Sequence, residues 1–394
     1  MTPARPAIRR SIHSPGTPPD VDRILIIRLG ALGDVVRTLP AVQAIRERYA
    51  DARITWLVEP GAAAVLEGQS LIDQVLVFPR DELSRSFSRG RWVEASRSLY
   101  SFVRDLRKEK FELVLDFHSI LKSGVLSRLS GSPERVALAP PEGREYSWLF
   151  ANHRIGGGEA RRSRFERNAA VARFLGGDEN ILRGYRFEIS GDSATRMAKG
   201  WSDLPGCVVI HPGASSGKQY KRYAAGHYGE VARMLRESQG VRSLVIQGVG
   251  EDEEALARAV VSASEGAAEL APETASAADL AALLVKCRLF VGADSGPLHL
   301  ASVLGVPVVQ ILGPTDAIQN APFEGTRSRQ VRVPVACSPC RHGCEAAPCM
   351  ALIPPLRVFH AAAELLAAGV SASGASGVEL DHREHAAGPR EQGG

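Results

Sequence analysis

The stretch Phe290-Val-Gly-Ala-Asp-Ser-Gly-Pro-Leu-His-Leu-Ala301, continuing through Gly305-Val-Pro-Val-Val-Gln-Ile-Leu-Gly-Pro-Thr315, decides the fold. Leu289 to Val291 is a short apolar run of the kind a buried parallel strand needs. It stops at Gly292-Ala-Asp-Ser-Gly-Pro297, where glycine permits a tight turn and Asp or Ser can cap a following helix. Leu298 to Leu304 has helical character and ends at Gly305, Val306 to Leu312 is the next strand, and Gly313-Pro-Thr315 turns at its end. Strand, glycine-rich turn, helix N-terminus, strand is how an α/β sheet presents backbone N–H groups to a phosphate. Glycine-rich turns alone leave an ordinary βαβ unit equally open. Asp294, Ser295 and His299 crowded onto one turn favour a binding site.

The same alternation runs outward in both directions. Arg23 to Leu29 reads as a central strand, Gly30-Ala-Leu-Gly-Asp34 as its turn, and Val35 to Tyr49 as a helix kinked at Pro40. Asp34 either caps that helix or faces a cleft as a base. The turn is not G-x-G-x-x-G, so a nicotinamide cofactor gets little support. Strands follow at Arg53–Val58, 74–78 and 111–116, with a basic amphipathic helix from Trp92 to Lys110. His118, Ser119 and Lys122 then lie at a sheet edge where such folds bind ligands. Arg154 to Arg167 holds five arginines, among them Arg161, Arg162 and Arg164, as a solvated loop or an anion-facing one. Apolar content falls around 188–203, an interdomain linker, and Cys207-Val-Val-Ile-His-Pro-Gly-Ala214 restarts the pattern. The expectation is an α/β chain of two facing Rossmann-like domains with the site in the cleft between them.

Length and charge set further bounds. A chain of 394 residues with 44% hydrophobic content can fill two α/β cores. The N-terminus lacks the apolar core of a signal peptide and no run reaches membrane-span length, so a cytoplasmic protein is expected. Residues 1–190 carry 30 Lys and Arg against 23 Asp and Glu, whereas 191–394 carry 18 against 21. A basic first half suits an anionic glycolipid or a membrane surface, with solvated helix faces the alternative and no nucleic-acid partner expected.

Three groups of residues resemble the ADP-heptose:lipopolysaccharide heptosyltransferases, glycosyltransferase family 9. They are Arg28-Leu-Gly-Ala-Leu-Gly-Asp-Val35, His211-Pro-Gly-Ala214 with Lys221-Arg-Tyr223, and Asp294-Ser-Gly-Pro-Leu-His-Leu-Ala301 with Gly313-Pro-Thr315. The resemblance spans roughly residues 21–368, with the motifs in family order. It implies a GT-B fold, with an acceptor-binding domain over 21–190 and a nucleotide-sugar-binding domain over 191–370; the compositions of 1–20 and 371–394 read as disordered, mobile segments on either side. It also implies transfer of heptose from ADP-heptose to the lipopolysaccharide inner core, on the cytoplasmic face of the inner membrane. Asp34 matches the catalytic carboxylate. Lys221, or Lys218 on the same loop, falls to the donor phosphates together with Asp294, Ser295, Gly296 and Pro297, and Asp252 falls to the ribose. His299 is either part of that donor site or a buried helix residue. His118, Lys122, Arg161 and Arg164 are placed on the acceptor side. The family's Trp is replaced here by Tyr223.

Asp20-Val-Asp22 is the sole Asp-x-Asp and precedes the first strand, so an inverting displacement without a metal cofactor is favoured. Cys337, Cys340, Cys344 and Cys349 pack four thiols into one loop, as ligands of a structural zinc or iron or as free thiols. Cys207 and Cys287 sit in apolar runs and read as core. The C-terminal helix Pro355 to Ala368 is expected to pack back on the first domain. Two other functions fit the same residues. One is another GT-B sugar-nucleotide enzyme, either epimerase-like, which would act on donor with no acceptor present, or a transferase using a different nucleotide sugar or acceptor. The other is a non-catalytic ADP-sugar-binding protein.

Overall fold

The computed structural model describes residues 21–156, 161–185, 187–189, 191–199, 206–214, 218–248, 250–340 and 343–370. The expected mobile segments 1–20 and 371–394 lie outside them. The first six strands are β1 (Arg23–Ile27), β2 (Arg53–Val58), β3 (Gln74–Val77), β4 (Leu113–Asp116), β5 (Glu134–Leu138) and β6 (His153–Ile155). They form one parallel sheet in the order β3-β2-β1-β4-β5-β6. A second parallel sheet holds β7 (Val208–His211), β8 (Ser243–Val245), β9 (Ala268–Leu270), β10 (Leu289–Ala293), β11 (Val308–Ile311) and β12 (Ser328–Val331). Its order is β12-β11-β10-β7-β8-β9.

Both sheets therefore follow one plan, 3-2-1-4-5-6, although no sequence repeat announces it. The chemistry of the strands explains why. Ile24 to Ile27, Val208 to Ile210 and Leu289 to Val291 are fully buried, as central strands covered by helices on both faces must be. In this topology the strand order reverses between the first and fourth strands, and the diverging loops open a crevice at their carboxyl ends. Those positions are β1/β4 and β7/β10. Each carries motif residues, and the two crevices face one another. Gly33 and Gly296 approach so closely that a Cβ on Gly33 would lie 3.1 Å from the Gly296 Cα. Phe165, on the helix Arg164–Phe174, packs on Phe323 of the second half at 5.1 Å between centroids, so apolar contact continues across the interface.

Three local expectations change. Pro40 does not kink one long helix. It sits in the first turn of a second helix, Leu39–Arg48, after a short helix Leu32–Val36, the position where a missing N–H costs nothing. The supposed linker contains a helix, Gly191–Lys199, tied to the second half by Arg196 and Asp279 at 2.7 Å. The C-terminal helix Pro355–Val370 packs on its own domain, not on the first: Val358, Ala362, Leu365 and Leu366 join the core beneath β10 to β12. That apolar face is satisfied locally, which leaves nothing to drive it across the cleft. Among the described residues no helix is long and apolar enough to cross a membrane.

Candidate active site

Asp34 enters the cleft from the first turn of the helix Leu32–Val36, and its carboxylate does not cap that helix. Three guanidiniums surround it instead. Arg28 Nη2 lies 2.5 Å from Oδ2, while Arg37 Nη1 and Arg164 Nη1 lie 3.0 and 3.1 Å from Oδ1. Arg28 stands on the turn after β1, braced by its own donation to the Phe117 carbonyl at 2.8 Å. Asn168 holds the other side, donating to the Arg37 carbonyl at 3.0 Å and the Thr38 hydroxyl at 3.1 Å. Burial raises the Asp34 carboxyl pKa, but Arg28, Arg164, Arg37 and Arg167 outweigh it and hold the pKa well below the usual range. Burial in turn lowers the Arg37 and Arg167 guanidiniums to about 10 and about 9.

Arg37 links this centre to the second domain. Its Nη2 reaches Asp294 Oδ1 at 3.3 Å and contacts His299 Nε2. Asp294 also takes Lys221 Nζ on Oδ2 at 2.8 Å and lies 3.1 Å from His299 Nε2. Burial alone would raise the Asp294 carboxyl pKa, yet His299, Arg37 and Lys221 hold it far below the carboxylate range. His299 is buried and, with Arg37 beside it, its pKa is pushed down to about 4, so the imidazole is neutral at physiological pH. It is thus a buried helix residue, but its partners are charged side chains rather than a carbonyl.

Ser295 is the N-cap of the helix Gly296–Val303, yet its hydroxyl pairs with His211 Nδ1 at 3.2 Å, not with the helix. Gly296 and Pro297 follow as the first helical residues. His211, at the end of β7, is lowered to about 4 by burial and by Arg222. The structure thus brings His211, Ser295, Asp294 and Lys221 to the β7/β10 crevice. Lys218 stands nearby with its surface largely in solvent, and partial desolvation together with Lys221 and Arg164 depresses its ammonium pKa. Tyr223 is a core residue, its hydroxyl donating to the Ile353 carbonyl at 2.9 Å.

Some sequence candidates land elsewhere. Asp252 is exposed, and the acidic side chain that reaches the turns after β7 and β8 is Glu253, paired with Arg222 at 2.5 Å. A Cβ on Gly213 would collide with Glu253 Oε2, so that glycine keeps the approach open. The helix Glu251–Ala263 begins within the acidic run itself, and its phase turns Glu253 inward and leaves Asp252 exposed. Of the arginine run Arg164 joins the centre by an ion pair and Arg167 by its nearby charge, while Arg161 and Arg162 do not. Arg161 pairs with Asp316 of the second half at 3.1 Å, and Arg162 lies 4.0 Å from Glu142. Their short side-loop position separates them from the helix that carries Arg164.

His118 and Lys122 line the first crevice. His118 Nδ1 accepts the Leu29 N–H at 3.2 Å, and burial with Arg28 and Lys122 nearby lowers its pKa to about 3. Lys122 pairs with Glu59, which also holds Arg80 at 2.9 Å. Asp116, missed in the sequence because it ends an apolar strand, accepts the His118 and Ser119 N–H groups at 3.0 and 2.8 Å. Burial raises its carboxyl pKa to about 6 against these hydrogen bonds. The four loop cysteines form no disulfide; Cys349 lies against the Gly313 turn, and the Cys340 N–H donates to the Pro314 carbonyl at 2.7 Å. Among the described residues no three His, Cys, Asp or Glu side chains converge to hold a metal ion. Asp22 stands at the amino edge of β1, opposite the cleft. Cys207 and Cys287 are core, their sulfurs 3.5 Å apart.

Comparison with known proteins adds to this geometry. Residues 99–351 match the model of glycosyltransferase family 9 (heptosyltransferase), well over half the chain. The chain belongs to glycosyltransferase family 9. This family 9 enzyme is 26% identical over 339 residues to lipopolysaccharide heptosyltransferase 1 of Pseudomonas aeruginosa, covering 81% of this chain and 86% of that protein. It is 23% identical to the lipopolysaccharide core heptosyltransferase OpsX of Haemophilus influenzae, covering 76% and 81%. Among solved structures, a family 9 glycosyltransferase from Veillonella parvula superposes with TM-score 0.71 at 20% identity, covering 88% of this chain and 98% of that one. The E. coli heptosyltransferase WaaC with ADP gives 0.66 at 20%, covering 87% and 99%. The two-domain GT-B architecture of this glycosyltransferase is thus shared with heptosyltransferases of known structure.

Proposed function

We propose that this glycosyltransferase is an inverting enzyme that moves heptose from ADP-heptose to the inner core of a lipid-linked lipopolysaccharide acceptor. The observation that carries the reading is one ion network, Asp34–Arg37–Asp294–Lys221, joining the switch points of both sheets across the cleft. Such a network puts a carboxylate and an anion-binding cluster on either side of one reacting centre. The relatives named for lipopolysaccharide heptosyl transfer, and the WaaC structure with ADP, support the donor and acceptor classes.

In this reading Asp34 accepts the acceptor hydroxyl proton as that oxygen attacks the anomeric carbon. The bond from carbon to the diphosphate oxygen breaks on the opposite face, and ADP leaves with the electron pair. Lys221, Lys218 and the N-terminus of the helix Gly296–Val303 meet its charge. Without substrate the three arginines hold Asp34 as a weak base. The diphosphate competes for Arg37 and Lys221, and drawing them off restores basicity when donor is bound. Lys122 and His118 face the acceptor, and Glu253 rather than Asp252 faces the donor ribose.

Catalysis in this scheme requires no metal, and a zinc or iron at the cysteine loop is a separate structural proposal. The first half's positive charge supports peripheral contact with the inner-membrane surface. The test is incubation with a panel of nucleotide sugars and truncated lipopolysaccharide cores, followed by mass spectrometry. A product one heptose heavier, formed from ADP-heptose, is expected. Consumption of donor with no acceptor present would favour an epimerase-like enzyme and overturn the reading.

A further inference from the structure

Four of the twelve exposed large apolar side chains among the described residues fall on one hairpin, made by the helices Arg80–Ser88 and Trp92–Lys108. They are Phe87, Trp92, Val93 and Tyr100, the last three 64, 64 and 71% exposed. Phe87 and Trp92 pack edge to face at 5.2 Å across the turn, so the patch is one preformed surface rather than scattered residues. The longer helix divides its faces cleanly. Ala95, Leu99, Phe102 and Leu106 point into the core under β1 to β4, while Val93, Arg97, Tyr100 and Arg104 share the opposite face. Trp92, Val93, Ser96, Arg97 and Tyr100 line a shallow depression there.

Charge distinguishes the occupant. Residues 80–110 hold nine Lys and Arg against five Asp and Glu, and Arg85, Arg89, Arg91, Arg97 and Arg104 are exposed around the aromatics. A second copy seated on this patch by a two-fold axis would bring that excess positive charge against itself. Aromatic rings with polar edges, ringed by arginine, are the chemistry of a surface lying at an anionic lipid headgroup layer. The root of the hairpin also points to the cleft. Arg80 binds Glu59, the carboxylate that holds Lys122, and Phe102 packs on Phe78 at 5.4 Å.

We propose that the Phe87–Tyr100 face of this hairpin docks the enzyme on an anionic membrane surface, holding the first crevice beside the lipid layer. The inference rests on the reading of a lipid-borne acceptor and names the surface that reaches it. Docking is driven by shallow insertion of Trp92 and Tyr100 and by attraction of the surrounding arginines to phosphate.

The experiment is co-sedimentation of the full chain with vesicles of phosphatidylethanolamine and phosphatidylglycerol, against phosphatidylcholine alone, across a salt series and without sugar donor. Wild type should bind the anionic vesicles and release with salt. Trp92→Ser with Tyr100→Ser should lower binding about tenfold or more, and Arg89→Gln with Arg97→Gln should remove most of its salt dependence. All four side chains are exposed, so thermal midpoints should match wild type. With a water-soluble deacylated acceptor the Trp92 and Tyr100 variant should turn over normally, and with vesicle-borne acceptor more slowly. Equal binding by wild type and that variant, or no binding by wild type, overturns the proposal. So does a wild-type dimer in sedimentation equilibrium that the variant abolishes. Because binding is read without donor, a failure of heptosyl transfer would be seen separately.

Discussion

Asp34→Asn separates the chemical role of this carboxylate from its structural one. The carboxylate places Oδ2 against Arg28 and Oδ1 against Arg37 and Arg164, all within 3.1 Å. An amide keeps one acceptor oxygen and turns an NH2 toward at least one guanidinium. Removing one partner from a buried pair costs about 3–5 kcal/mol, and the 22% exposure of the Asp34 side chain puts the expected loss near the lower end. Turnover should fall by about a hundredfold or more, the usual worth of a positioned base. ADP affinity should hold or rise, because a lost carboxylate leaves Arg37 freer to meet diphosphate. Steady-state kinetics at a temperature where the variant is folded, a denaturant titration and ADP calorimetry measure the three terms apart. Turnover within about threefold of wild type, alongside the stability loss, would refute the base assignment and leave Asp34 as a strut for three arginines.

Further outcomes follow from the same network. Lys221→Met should weaken ADP binding by about tenfold or more and Lys218→Met by less, since the half-buried Lys221 already pairs with Asp294 in the cleft; equal losses would shift the phosphate role to Lys218. Arg164→Ser should raise the acid limb of the pH–rate profile by removing a cation from Asp34, whereas Arg161→Ser with Arg162→Ser should leave it in place; matching profiles for all three would remove Arg164 from the site. Transfer should survive excess EDTA, and rescue of a chelated enzyme by Mg2+ would overturn the metal-free displacement; elemental analysis of purified protein reads the cysteine loop independently. His211 and His299, both lowered to about 4, bind protons more readily in the unfolded chain, so stability present above about pH 6.5 should be lost as pH falls toward 4, on the order of 3 kcal/mol for each imidazole. Denaturant titrations from pH 7.5 to 4 check this, and a flat stability curve would contradict it.

The sequence by itself determined the βα alternation and the motif turns, because those depend on local chemistry. Apolar runs too short for helices, ended by glycine and proline, specify strands and turns without reference to the rest of the chain. Asp34 and Asp294 were singled out for the same reason, since each sits beside a turn at a strand's carboxyl end, whereas Lys221 was marked only by the family resemblance and His299 was left open as a buried helix residue. Which partners those side chains take was decided by tertiary structure. Arg28 was only the first residue of a motif, Arg37 carried no signal of its own and Arg164 was one of a run, until two sheets of identical strand order set their crevices face to face. Glu253 displaced Asp252 because the start of a helix fixes which residue of an acidic run turns inward, and charge alone cannot set that phase. The C-terminal helix stayed on its own sheet because amphipathicity says that a face must be buried, and only packing says against what.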